Sequence, residues 1–322
     1  MNKNRVSVWS ALACATALLT APSTYAAGIP NCDRQCLYGL LDQYLAALVR
    51  KDPAALPWAK HAMTTENNVT LAIGDGLWGT ITGLGDYKLK FADVEQGQVG
   101  FFGVVKETND SSGVALRIKI QDKQIAEVET LVFRLADAAA IGGGGSPFAN
   151  PKFEDKPILQ QNVPAAQRRP RARMISIADG YFDTLQLNDG QLFTEFDPQC
   201  NRMENGLQTT NHAIPNFTDV VQLGCAEQFK LGYYRYDDRL RGRRYPLVDE
   251  ERGLVLAAGF IDHAGRLGTY KLTDGRVVES PIRRPHSFYL IELFKIVDGK
   301  IRQIESLFMT VPYNMPSPWD QP

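Results

Sequence analysis

The chain has 322 residues, of which 44% are apolar and 22% charged, and its formal net charge is −1. That is globular composition at a length favouring two domains, with no apolar run beyond the N-terminus long enough to span a membrane. The basic clusters at Arg168 to Arg173 and Arg239 to Arg244 sit among acidic residues, so nothing supports a nucleic-acid partner.

In chain order, Lys3 and Arg5 precede an apolar stretch from Val6 to Leu19, and Thr24-Tyr25-Ala26 offers small residues for cleavage. Residues 1–26 are therefore expected to be a secretory signal. A membrane anchor competes with this, but the apolar run is short and Pro22 and Ser23 close it; too little apolar sequence precedes Cys14 for a lipoprotein site. Cleavage would leave a net charge of −3 and a secreted or periplasmic protein with no membrane contact. Four cysteines then remain, and three pairings are open. Cys32–Cys36 and Cys200–Cys225 are favoured because each pair lies within one half of the chain. A zinc site is disfavoured, since Cys32 and Cys36 have no nearby histidine and Cys200 and Cys225 lack ligand spacing.

The two halves repeat each other. Asp42 to Leu48 matches Asp179 to Leu185, Thr65-Glu66-Asn67-Asn68 matches Met203-Glu204-Asn205-Gly206, and Asp122 to Leu131 matches Asp298 to Leu307. Leu37, Leu40, Leu41, Tyr44, Leu45 and Leu48 recur at helical spacing, as do Ala178, Tyr181, Phe182 and Leu185. Strands are predicted at about 98–105, 113–121 and 124–134, then at 253–263, 287–297 and 301–311. Asp298-Gly299 marks a two-residue hairpin, because it supplies the positive φ angles such a turn needs. Residues 136–172, with four consecutive glycines and an Arg-Pro run, read as a linker. The expected organisation is a first domain over 27–135, that linker, and a second domain over 173–322, each α+β with a curved, mostly antiparallel sheet wrapped around N-terminal helices.

A helix followed by long paired strands, twice over, resembles the nuclear transport factor 2-like (SnoaL-like) cone fold. Gly74 to Thr80, Gly97 to Val105, Cys200 to Gly206, Asp262-His263 and the tail Val311 to Trp319 are similar to a family of exported bacterial and fungal proteins with tandem domains of that fold. The resemblance implies a cup-shaped apolar pocket in each domain, and cofactor-independent enzymes of this type carry out isomerisations, dehydrations, cyclisations and epoxide openings. Such chemistry needs a carboxylate or imidazole held in low dielectric.

Alternation places Phe288, Leu290, Glu292, Phe294 and Ile296 on one strand face, and hairpin alignment puts Leu116 in the slot of Glu292. A carboxylate where the sister copy has leucine suggests an acquired site; a structural pair with Arg202 or Arg235 is the alternative. Asp262 and His263 close the strand from Leu254 but face opposite ways, so only one can enter a given pocket. His263 is a candidate base, or a histidine beside a turn. Arg202 stands opposite Thr64 and could bind an anionic or carbonyl oxygen, whereas Glu204, matched by Glu66, reads as shared structure. Tyr234, Arg235, Asp237, Asp238 and His286 are rim candidates; the alternative for His286, which follows Pro285, is that it turns the chain into the next strand. Trp78 in a Gly-rich loop could stack on a planar ligand or pack beneath its own loop. No nucleotide, hydrolase-elbow or zinc-protease signature is present, and four histidines are too few for an obvious metal site.

The expectation is an exported enzyme of lyase, isomerase or hydrolase type, using no cofactor or metal, acting on a small partly apolar molecule in the second domain. Glu292 or His263 would be the base, with Asp262 or Arg202 orienting or stabilising charge. The rival is a non-catalytic small-molecule-binding or interaction protein. The quaternary state is expected to be a monomer or homodimer, with a monomer if the two cones cover each other.

Overall fold

Asp33 starts the first helix by accepting the Cys36 backbone N–H at 2.8 Å, and Lys51 in the left-handed region closes it. This is α1 (Arg34–Arg50), which buries Leu37, Leu41, Tyr44, Leu45 and Leu48, close to the apolar stripe read from the sequence. The computed structural model describes residues 32–138, 147–149 and 151–320. The expected signal segment and the four-glycine run lie outside these residues.

Copy one continues with β1 (Trp58–Glu66), β2 (Val69–Thr70), the one-turn α2 (Leu77–Thr80), β3 (Ile81–Asp93), β4 (Gln98–Glu107), β5 (Ser111–Gln121) and β6 (Gln124–Phe133). Two short helices, α3 (Leu135–Ala138) and α4 (Pro157–Gln160), lie in the connection. Copy two comprises α5 (Arg171–Leu187), β7 (Phe196–Glu204), β8 (Leu207–Gln208), α6 (Cys225–Leu231), β9 (Arg239–Asp249), β10 (Leu254–His263), β11 (Thr269–Lys271), β12 (Val277–Glu279), β13 (His286–Val297) and β14 (Lys300–Val311). Its helix begins at Arg171, two residues ahead of the expected boundary, because Pro170 sits in an extended conformation and sets the first turn.

The two sheets have one topology, β2-β1-β6-β5-β4-β3 and β8-β7-β14-β13-β10-β9, antiparallel except for the β1/β6 and β7/β14 pairs. Register confirms the duplication residue by residue. Leu116 pairs with Thr130 and Glu292 with Ser306; Thr64 pairs with Val128 and Arg202 with Ile304. The hairpin at Asp298-Gly299 has φ of 50° and 78°, and its sister at Asp122-Lys123 has 50° and 60° without a glycine. Helix α1 covers the inner face of the first sheet and α5 that of the second.

The outer faces of the sheets meet back to back, β3 against β9 and β6 against β14, so the layers run helix, sheet, sheet, helix. The seam is nearly two-fold. Asp93 ends β3 and Asp249 ends β9; each accepts a backbone N–H from the other copy, Val248 at 2.8 Å and Ala92 at 3.2 Å. The first residue of each long helix then crosses over: Arg34 pairs with Asp249 at 2.6 Å and Arg171 with Asp93 at 2.5 Å. At the centre the buried Glu129 carboxylate accepts from Arg117 of its own copy and from Arg244 and Tyr289 of the other.

The connection is tied to copy two. Lys295 donates to the carbonyls of Gln161 (2.6 Å) and Arg252 (2.5 Å), and the Val163 N–H bonds to the Glu251 carbonyl. At the other terminus Trp319 reaches copy one, its indole N–H on Thr65 and the Arg117 guanidinium 4.7 Å from its ring centre. Both within-copy disulfides are formed. Cys200–Cys225 ties β7 to α6 across 25 residues, whereas Cys32–Cys36 spans four. Loop-closure entropy then predicts that Cys200→Ser with Cys225→Ser lowers unfolding free energy by about 3 kcal/mol, nearly twice the loss from removing Cys32–Cys36. Guanidinium denaturation of the two double variants measures this.

Candidate active site in the second cone

The inner faces of the two sheets have diverged. In copy one the slot residues are Thr64, Phe101 and Leu116; in copy two they are Arg202, Ala257 and Glu292. Cone one accordingly encloses a small cavity of about 30 Å³ with Tyr44, Trp78, Phe101, Leu116 and Thr130 among its walls. Trp78 lies in α2, buried edge-on against Tyr44 at 5.5 Å, and packs as a wall of this core.

Cone two holds charge instead. Glu292 is 3% exposed and Arg202 2%. Arg202 donates through Nε to Thr209 Oγ1 at 3.2 Å and lies 3.3 Å from Glu204; through Nη2 it donates to Gln228 Oε1 at 2.7 Å and to the Tyr234 hydroxyl. Tyr234 in turn donates to Gln228 at 2.6 Å, and its ring lies 5.1 Å below the guanidinium. The arginine is thus held on several sides by groups from β7, α6 and the loop after α6. The Tyr181 hydroxyl from α5 is near enough to Glu292 to favour its charged form. Burial pushes its carboxyl up to about 8, the Glu204 charge adds to this, and Arg202 and Tyr181 only partly oppose it. A carboxyl whose pKa is pushed up to about 8, within range of a fixed guanidinium's charge, can donate a proton, accept one, or hydrogen-bond a carbonyl while the cation stabilises developing negative charge.

Glu204 has left the role of its counterpart. Glu66 accepts the Leu77 backbone N–H at 2.6 Å at the start of α2 and pairs with Arg134, whereas Glu204 accepts from Thr209 at 2.5 Å and faces Arg202.

Asp262 and His263 part company as strand geometry requires. Asp262 points to the outer face, where Ser287, Arg239 and Arg241 converge on it; burial opposes its ionisation, but these partners hold its carboxyl below the usual range. It cannot orient His263. That part is taken by Asp237, whose Oδ1 lies 2.8 Å from His263 Nε2. His263 is 1% exposed and its ring stacks on His286 at 4.7 Å. His286 Nδ1 is engaged by the Arg284 carbonyl, and burial lowers its pKa. Arg235 donates to the Asn188 carbonyl and exposed Asp238 accepts the Ala264 N–H, so both pin loops. The sequence pattern therefore brings Glu292, Arg202 and Tyr234 to one region and separates Asp262, Arg235 and Trp78 from it. Tyr181 and Gln228 escape sequence reasoning, since Tyr181 has a tyrosine counterpart in Tyr44 and reads as core.

Among the described residues no group of three His, Cys, Asp or Glu side chains is arranged to hold a metal, and no helix is long and apolar enough to cross a membrane. Fold and site together define a tandem α+β cone protein whose second inner face carries a buried arginine and carboxyl where the first carries threonine and leucine. The chain belongs to the family described as Domain of unknown function (DUF8021), which matches residues 31–132 and 167–308, one stretch in each copy. No curated protein matches it. Among solved structures, a steroid delta-isomerase from Pseudomonas aeruginosa is similar at 13% identity, covering 33% of this chain and 85% of that one with a TM-score of 0.27. A protein from Sphaerobacter thermophilus is similar at 12% identity over 30% and 94%, TM-score 0.26. A de novo designed protein with a curved β-sheet is similar at 10% identity over 31% and 87%, TM-score 0.27.

Proposed function

We propose that copy two is the catalytic unit of an exported, cofactor-independent acid/base enzyme acting on a small, partly apolar molecule. Glu292 exchanges the proton, and Arg202, held by Tyr234, Gln228 and Thr209, stabilises the oxyanion or departing oxygen. The observation that carries this is Glu292 itself: a buried carboxyl on the inner face, within range of the Arg202 charge, in the slot where copy one keeps Leu116. A structural role would be served as well by leucine, as copy one demonstrates. The reaction would be of lyase, isomerase or hydrolase type. Copy one supports the site from behind, and the back-to-back packing of the sheets favours a monomer.

The test is exchange chemistry on a panel of small ketones, lactones and epoxides in D2O, followed by mass spectrometry. Deuterium incorporation or ring opening is expected with the wild type. Glu292→Gln should lower the rate by about 10²–10⁴. Turnover that survives in Glu292→Gln, or no turnover across the panel, removes the assignment. In the latter case the apolar walls of cone one favour a binding protein.

A further inference from the structure

The loop after α6 holds two clusters at once. Tyr234 accepts from Arg202, and three residues later Asp237 engages His263. Along β10, Ala257, Gly259, Ile261 and His263 share a face; Ala257 stands opposite Glu292 and His263 opposite His286. His263 therefore lies on the inner face of the same sheet as Glu292, nearer the strand end. Asp237 is close enough to Arg202 and Glu204 for their charges to act on it. One nitrogen of His263 is bound to Asp237; the other, Nδ1, is buried and among the described residues has no hydrogen-bond partner. An imidazole nitrogen left without a partner inside a protein is costly unless something else fills the position. Asp238 braces the arrangement by accepting the Ala264 N–H next to the histidine.

We propose that His263 is a second proton-transfer group of the second cone, with Nδ1 as its working atom and Asp237 as the positioning residue that keeps the proton on Nε2. The inference rests on the acid/base function assigned to copy two. The molecule it serves is one with an acidic C–H or O–H. That proton passes to Nδ1, the resulting imidazolium is balanced by the Asp237 carboxylate, and the proton returns to the product or to its departing oxygen. The C–H or O–H electron pair stays on the bound molecule until then, so no oxidant or further reactant is required.

Diethyl pyrocarbonate is a probe of the size and chemistry required. A bare imidazole nitrogen attacks its carbonyl, a carbethoxy group is gained, and ethanol and carbon dioxide leave as the ring N–H proton is lost. Peptide mapping should find His263 modified within tenfold of the rate of exposed His212 despite its burial. Asp237→Asn should slow modification of His263 at least tenfold while His212 is unchanged. In the unaltered protein, long-range ¹H–¹⁵N spectra of the four histidines should show His263 protonated on Nε2 and bare on Nδ1. The proposal is overturned by an Nδ1–H tautomer, by an unmodified His263 once His61 and His212 have reacted fully, or by equal rates in Asp237→Asn. Glu292→Gln should leave the labelling of His263 as it is, so failure of this proposal and failure of the Glu292 assignment are read separately.

Discussion

Glu129→Ala is expected to destabilise the protein by about 3–5 kcal/mol, while Glu305→Gln, at the equivalent position of the other copy, costs nothing measurable at pH 6. Both carboxylates stand seven residues after the aspartate that opens their hairpin turn, on the outer face of their sheets, and both are buried at the seam. Their surroundings differ. Glu129 meets Arg117 at 2.9 Å, Arg244 at 2.5 Å and the Tyr289 hydroxyl at 2.7 Å. Burial opposes its charge, but the two guanidinium groups prevail and hold its carboxyl below the ordinary range. Removing it leaves Arg244 without its carboxylate between two sheets, which is the costly way to break a buried ion pair. Glu305 lies near the Tyr87 hydroxyl, but among the described residues neither that hydroxyl nor the Glu305 Oε2 has a hydrogen-bond partner. Burial pushes its carboxyl up to about 7.

The pH dependences are opposite in sign. For Glu129 the folded pKa lies below the unfolded one, so its stabilisation is present above about pH 4 and is lost as pH falls through the folded value. The difference between wild type and Glu129→Gln should therefore hold from pH 5 to 9 and collapse in acid. For Glu305 the folded pKa lies above the unfolded one, so stability is lost as pH rises from about 4 through 7. Glu305→Gln should consequently gain about 1–3 kcal/mol on wild type above pH 8. Chemical denaturation at a series of pH values measures all of this. Equal losses in the two variants would mean that the seam does not distinguish its halves.

The helices and the terminal hairpin of each copy were legible because their signals are local: apolar spacing, Asp-Gly at a turn, alternation along β13. The strands β3 and β9 were not. Arg239 to Arg244 reads as a basic cluster because the acids that absorb it come from elsewhere: Asp262 for Arg239 and Arg241, Asp179 and Asp183 for Arg243, Glu129 for Arg244. A charged strand becomes buried only when a second sheet covers it, and a single copy of the repeat carries no trace of that sheet. The same limit applies to the site. Glu292 stood out by comparison with Leu116, since the hairpin fixed the alignment. Asp237 could be weighed only as a rim group, because its partner His263 lies 26 residues away, at the far end of the β9–β10 hairpin.

Glu292→Leu, which installs the residue that copy one carries, should raise stability by about 2–4 kcal/mol at pH 9 while abolishing activity, and should change stability little at pH 5. A carboxyl whose folded pKa is about 8 favours the folded state only while protonated. Its contribution is complete below the unfolded pKa near 4.3 and is lost as pH rises through 8, up to roughly 5 kcal/mol in all. Leucine does not titrate, so the wild-type and variant curves should diverge steadily between pH 5 and 8 and run parallel above. The gain falls short of the full amount because Ala257 stands opposite Glu292, where Phe101 stands opposite Leu116, and leucine alone does not refill that volume. The difference between the two proteins isolates this group from Glu305 and from Lys295, whose pKa burial lowers to about 8. Denaturant midpoints at pH 5, 7 and 9 decide the matter. Parallel curves throughout would place the Glu292 proton in ordinary solvent-like surroundings, and with it would go the physical reason for assigning the second cone to proton transfer. Divergence with loss of turnover would show a destabilising carboxyl retained at one position of a duplicated fold for the chemistry it performs there.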